Sequence, residues 1–518
     1  MKRTLKYIAV LSLTFFLASC GNDWLDLKKD DSFSSTQKLK TKDLVSMQIG
    51  MYNAIQGSSD YYGARMIYDG DVRADDFQYK ESGSSRTDDS FLYTYSLNDA
   101  VGCWADAYYL IKTASSIIEA KPVDADKNEK VVNDIKGQAY FMRAIAHLDL
   151  LRNYGEFYDV NSKWGVPIIN RVIPGGELAS NKPARNTVKE VYDQIVEDLV
   201  GEGKAIALMA DKKAVDGFAN AWSAKALLCR VYLYMGENKK CLDVANDIIT
   251  NSPYQLWKND EYLSAWTKRG NSEILFEIVN NTEDNVGREA IGYLMYPTGG
   301  NGYGDVVATL QYTNLFQDGD VRKGLFFEDE KAKKTDARFG KKVFMNKYPG
   351  IEKSAAGAGN DNTTASVPVF RLSEVYLNGA EAAQKLANAA KTDGLLTAIV
   401  QRANPKAPAV SGANLERVLL ERRLELGGEG FRFYDALRND KTMYRDNVAE
   451  YMKEVDASGV KITQPETVEA ENAALHPSLN ASYLNIDRNG KKIIYPIPAR
   501  EINVINATGT IIEQYDRW

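Results

Sequence analysis

The stretch AWSAKALLCRVYLYMGENKKCLDVANDIITNSPY, residues 221–254, limits what this chain can fold into more than any other part of it. Apolar positions recur at helical spacing through Ala224, Leu228, Val231 and Tyr232. They break at Gly236-Glu237-Asn238, resume at Leu242, Ala245 and Ile248, and stop at Pro253. Two helices joined by so short a turn must fold back on each other, and the small residues between the aromatic ones let their axes approach. Cys229 and Cys241 fall where such a hairpin wants small side chains, so both are expected as buried thiols rather than as a disulfide or metal site.

In length and in its small–aromatic–small pattern this hairpin resembles a tetratricopeptide repeat. Further units follow the same grammar. GQAYFMRAIAHLDLLRNYG, residues 137–155, puts Tyr140, Ala144, His147 and Leu151 on one helical face, which makes His147 a core residue. TVKEVYDQIVEDL, 187–199, opens with a capping box of Thr187 and Glu190. The connection between these two carries Trp164, Pro167 and Pro174 and is too long for an ordinary hairpin. Helical pairs are also read at 371–402 and 413–438, and an amphipathic helix at 104–120. Residues 256–370 and 439–518 are mostly irregular, with one predicted strand at Glu273–Val279 and Gly/Asn-rich loops. The expectation is a mainly α chain: a helical-repeat scaffold over 40–255 and 371–438 that carries a loop-rich face.

The N-terminus has the layout of a secretory signal over residues 1–19, with Lys2, Arg3 and Lys6 ahead of an apolar core from Tyr7 to Leu17. That core is too short to span ~30 Å of hydrocarbon. Leu17-Ala18-Ser19-Cys20 resembles a bacterial lipobox, in which Cys20 is lipidated and becomes the first residue of the mature chain, 20–518. Two or three acyl chains on it would anchor a soluble body durably. Asp23 and Asp26 resemble the acidic export signal of some surface lipoproteins. Without residues 1–19, which hold three cations and no acids, 61 Lys and Arg stand against 70 Asp and Glu, a net charge of −9. That balance argues against nucleic acid as a partner.

Chemistry has few parts to work with. His147 and His476 are the only histidines, and three cysteines besides Cys20 make no disulfide framework. Gly299 to Gly304 lacks the spacing and the Lys-Ser/Thr ending of a nucleotide loop. Asp-Gly-Asp-Val-Arg occurs at 69–73 and 318–322 without the glutamate a calcium loop needs, so both copies read as turns with an aspartate at a helix start. No hydrolase motif is present, and neither a metal nor a cofactor is expected. In LERRLELGGEGFRFYDALRND, 420–440, Glu421, Glu425 and Glu429 recur every four residues. Arg422, Arg423, Arg432 and Arg438 are placed to pair with them if the helix continues across Gly427-Gly428. This is read as a structural ion network that fixes how two helices meet.

The same stretch, ERRLELGGEGFRFYDALR, resembles the C-terminal signature of the RagB/SusD family of nutrient-binding outer-membrane lipoproteins. WADAYYLIKTASSIIEA, AYFMRAIAHLDLLRNYG, PARNTVKEVYDQIVEDL, RLSEVYLNGAEAAQKL, YPIPAREINVIN and the lipobox support it along the whole mature chain. QRANPKAP departs from the Arg-Ala-Gly turn that relatives commonly carry after the 371–402 pair. The resemblance implies one SusD-like domain of four tetratricopeptide-like helix pairs with an irregular half. It also implies a non-catalytic lid, displayed on the cell exterior, that hands an oligosaccharide to a SusC-like TonB-dependent transporter packed against its helical face. Oligopeptides as ligand, or an anchored hydrolase, are the alternatives. Binding residues do not carry over by motif and are chosen by chemistry, since sugars stack C–H faces on tyrosine and tryptophan. Tyr293, Tyr296 and Tyr303 in the Gly-rich loop, and Tyr61 and Tyr62 beside Arg65, are the candidates.

Overall fold

The hairpin at 221–254 forms as its residues dictate. Asn220 accepts from the Ser223 N–H and opens one helix, Gly236 closes it in the left-handed region at φ 76°, and the second helix begins two residues later. The computed structural model describes residues 38–57, 59–79, 86–99, 101–174, 183–211, 213, 217–297, 302–328, 343–353, 360–445, 485–503 and 512–518. Residues 1–19, read above as a signal, and Cys20 lie outside them.

The scaffold helices are α1 (Thr41–Gln56), α2 (Arg65–Val72), α3 (Trp104–Glu119), α4 (Glu129–Tyr154), α5 (Val188–Val200), α6 (Ala221–Met235), α7 (Asn238–Asn251), α8 (Leu372–Lys385), α9 (Ala389–Ala403), α10 (Leu415–Leu426) and α11 (Arg432–Arg438). α1 packs on α3, α4 on α5, α6 on α7 and α8 on α9. Successive pairs then stack through α3 on α4, α5 on α6 and α7 on α8. Leu228, Val231, Leu242, Ala245 and Ile248 are buried in that stack, each fully buried Val, Leu or Ile adding ~1.5–3 kcal/mol. Cys229 and Cys241 are buried free thiols with Sγ atoms 3.7 Å apart. Among the described residues no helix is long and apolar enough to cross a membrane.

Helix α4 begins eight residues before the predicted start. Gly137 weakens the pattern there, yet a Cβ on it would stand 2.7 Å from Met209 Cγ, so the glycine is what lets the 205–209 segment pack on the helix. His147 is fully buried in α4: its Nδ1 lies 2.9 Å from the Arg143 carbonyl and must donate, while Nε2 accepts from the Ile169 N–H. Burial lowers its pKa to about 4, so the imidazole is neutral.

The loop-rich half holds more strand than expected. β1 (Phe77–Tyr79), β3 (Val306–Ala308), β4 (Phe326–Glu328) and β5 (Val343–Met345) form an antiparallel sheet in the order β1-β3-β5-β4, and β2 (Ile274–Ile278) pairs with β6 (Val367–Arg371). Because β1 comes from residues 77–79, the scaffold range 40–255 also contributes to this sheet. β7 (Met443–Tyr444) pairs with β8 (Asn485–Ile486). Next to it the buried Arg445 donates to the carbonyls of Val72, Ala74 and Phe91. The first Asp-Gly-Asp-Val-Arg is no turn, since it continues α2 to its end and buries Asp69 and Asp71. The second behaves as predicted, with Asp320 capping the short helix Val321–Leu325 through the Arg322 N–H.

Candidate functional site

Tyr293 and Tyr303 are brought together by backbone. The one-turn helix Ile291–Met295 is pinned at its start by Ile291 N–H donating to the Gly63 carbonyl. The returning chain then ties itself to this helix through Tyr303 N–H to Tyr293 O, 2.8 Å, and Asp305 N–H to Leu294 O, 2.7 Å, before entering β3. Gly302 makes the close pass possible, because a Cβ there would fall 2.0 Å from the Tyr296 carbonyl oxygen.

The two rings meet edge to face, with centroids 5.0 Å apart at 70°. Arg86 lies over the Tyr303 ring, 3.9 Å from its centroid, and is held there by Glu289 at 2.9 Å and by the buried Asp305 at 3.0 Å. The exposed Arg288 stands 5.9 Å from the Tyr293 ring. Tyr296 packs on Phe327 at 5.7 Å. All three tyrosines are half-buried, so each keeps part of a ring at the surface. The cluster therefore offers aromatic faces steeply inclined to each other beside a guanidinium and carboxylates, which suits a ligand with C–H faces and hydroxyl edges. Sequence reasoning missed Arg86, Glu289, Asp305 and Phe327. Arg86 stands some 200 residues away in the chain, and long-range contacts such as the pairing of β1 with β3 bring the two segments together.

The other candidates lie elsewhere. Tyr61 and Tyr62 are core residues whose hydroxyls donate to the two oxygens of Asp149, at 3.1 and 3.4 Å. The reason is a carboxylate fully buried in α4, which needs donors; even with them, burial raises its pKa to about 6. Arg65 is tied up among Asp60, Asp69 and Asp89 at 3.3–3.8 Å. These three residues do not form a stacking platform.

The ion network is present with different pairings. α10 ends at Leu426, and Gly428 and Gly430 take φ of 80° and 78°, so no helix crosses the glycines. Glu429 instead reaches Lys347 at 2.6 Å and Arg371 at 2.7 Å. Glu425 binds Arg402 at 2.7 Å, and Arg371 and Arg322 at 3.2 Å, while Glu421 binds Arg322 at 2.7 Å and Arg417 at 2.8 Å. With Glu273 on Arg371 and Arg402, and Asp320 on Arg322, five acids balance five cations. Burial alone would raise Glu425, but Arg402, Arg371 and Arg322 hold it well below the carboxylate range. Arg422, Arg423 and Arg432 pair outward, with Asp435, Asp76 and Asp75 respectively. Among the described residues no group of His, Cys, Asp and Glu is arranged to hold a metal ion.

A stack of helix pairs bearing a loop-built aromatic surface defines a binding scaffold of the helical-repeat class. Comparison with known proteins then gives the family. Residues 329–515 match the model described as "SusD family", and residues 23–233 match "Starch-binding associating with outer membrane". A SusD superfamily protein from Bacteroides vulgatus superposes with TM-score 0.74 at 31% identity, over 92% of this chain and 98% of that one. One from Bacteroides thetaiotaomicron gives 0.77 at 30% identity over 92% and 99%. A SusD-like protein of Bacteroides ovatus is 24% identical over 84% of this chain and 82% of its own length. The chain belongs to the SusD family.

Proposed function

We propose that this protein is a surface lipoprotein that binds oligosaccharides and delivers them to a SusC-like TonB-dependent transporter of the outer membrane, without catalysis. The observation that carries the reading is the edge-to-face pair Tyr293 and Tyr303 with Arg86 clamped beside them. A sugar ring laid on one tyrosine would meet the edge of the other, and its hydroxyls would meet Arg86 and Glu289. Support for a glycan comes from the starch-binding family matched over residues 23–233. The lipobox at Cys20 supports anchoring by lipid and display on the cell exterior.

The test is native-gel retardation and calorimetry of residues 21–518 against polysaccharides and peptide pools. One glycan class should retard the protein, and Tyr293→Ala, Tyr296→Ala and Tyr303→Ala together should weaken that binding at least tenfold. Glycan binding unaffected by the triple substitution would refute this site, and binding to peptides alone would refute the ligand class.

A further inference from the structure

Two arginines stand beside the tyrosine pair, and their charges are used differently. Arg86, over the Tyr303 ring, is bound by Glu289 and by the buried Asp305, so an anion arriving there would have to displace a carboxylate. Arg288 is exposed, 5.9 Å from the centre of the Tyr293 ring, and meets neither a carboxylate nor a hydrogen-bond acceptor among the described residues. Every other described arginine donates a hydrogen bond or stands in an ion pair, even the exposed Arg171 and Arg500. In a chain with 70 acids against 64 cations, a guanidinium that binds none of them has its five donors open to an anion from outside.

The place of Arg288 is set by its backbone. Gly287 takes the left-handed region at φ 67°, its N–H donates to Asn285 Oδ1 at 2.8 Å, and its carbonyl accepts from the Ala290 N–H at 3.1 Å. Glu289, the next residue, turns to Arg86, and Ile291 N–H is held by the Gly63 carbonyl. Arg288 therefore projects from a turn fixed on both sides, within cation–π range of the ring.

We propose, on the reading of the tyrosine pair as a glycan platform, that the site selects acidic glycans and that Arg288 is the residue that reads the charge. A sugar stacked on Tyr293 carries its substituents at the ring edge, where the guanidinium fork meets a carboxylate or a sulfate with two parallel hydrogen bonds. The shared chemistry is an oxyanion on the sugar, from a uronic acid or from a sulfate ester.

The experiment is calorimetry of residues 21–518 on matched polymers. Polygalacturonate and alginate are each compared with their carboxyl-reduced forms, and a sulfated galactan with its desulfated form, so that the pair showing a difference tells carboxylate from sulfate. One acidic polymer should bind about five- to tenfold more tightly than its neutral counterpart, as one charge-assisted contact at a surface gives. Arg288→Gln should abolish that difference and Arg288→Lys should keep part of it. Arg500→Gln, which removes an exposed cation from the short helix Ala499–Ile502, should leave it intact. Equal binding of acidic and neutral forms, or a preference that survives Arg288→Gln, with Tyr293→Ala still weakening both, would overturn the inference and leave the platform standing. Glycan binding untouched by Tyr293→Ala, or none to any of these polymers, would overturn the platform and the inference with it.

Discussion

Glu425→Gln tests whether the charges of this network, with the partly exposed Arg417 at its edge, act as one balanced set. In the native protein five acids face five cations, and Glu425 is the acid shared by Arg402, Arg371 and Arg322. Neutralising it leaves four against five. Arg371 keeps Glu273 and Glu429, and Arg322 keeps Glu421 and Asp320, but Arg402 is left with Glu273 alone. Removing one member of a buried ion pair costs about 3–5 kcal/mol, because the partner remains desolvated. With an unfolding entropy near 2.1 cal/mol/K per residue, 4 kcal/mol lowers Tm by about 4 °C in a chain of 518 residues. Adding Arg402→Met restores four against four and should recover more than half of the loss. The assay is urea unfolding at pH 7, followed by tryptophan fluorescence at constant m. The pH dependence has a definite sign: Glu425 is held low in the fold, so its contribution is complete above the unfolded carboxylate pKa of ~4.3 and is lost as pH falls below it. The variant should therefore lose less stability than the parent between pH 5 and pH 3. A loss under about 1 kcal/mol at pH 7, or a double variant no more stable than the single one, would refute the reasoning.

Burial raises the Glu277 pKa to about 7, although the Gly270 N–H donates to its carboxylate. Stability is therefore lost as pH rises from ~4.5 to 7, and Glu277→Gln should gain up to about 3 kcal/mol at pH 8 relative to its effect at pH 4, in paired urea titrations. His147 has the opposite sign: held neutral to about pH 4, it withdraws about 3 kcal/mol as pH falls from 6.5, a slope that His147→Gln should remove from the unfolding curve. At Gly70 a Cβ would lie 2.1 Å from the Gly430 carbonyl oxygen, so Gly70→Ala should cost at least about 1–3 kcal/mol in thermal melts.

The helix pairs were legible because their pattern is local. Capping at Thr187 and the Gly236 stop set boundaries within a residue or two, and helical spacing set the buried faces. Where a long-range contact decides, the reading failed. Helix α4 runs through Gly137 because of Met209, and β1 is a strand because β3 lies beside it. Tyr61 and Tyr62 show the limit most clearly. As sequence they are an aromatic pair beside an arginine, indistinguishable in type from Tyr293 and Tyr303. Only the buried Asp149, 87 and 88 residues away, makes them core. The acids at 421–429 announced an ion network, yet their main partners, Arg322, Lys347, Arg371 and Arg402, come from four other parts of the chain.

The two-residue pairing of β7 with β8 has a further consequence. It brings Tyr444 and Asn485, 41 positions apart in the chain, side by side. Bringing together two positions so far apart costs only about 0.6 kcal/mol more for each doubling of their separation. Arg445, bonded to three carbonyls of the 72–91 region, secures the β7 side of the pair. The β7–β8 pairing thus marks a place where a change of chain length carries a small entropic cost, a handle for engineering that leaves the register of the helical stack alone.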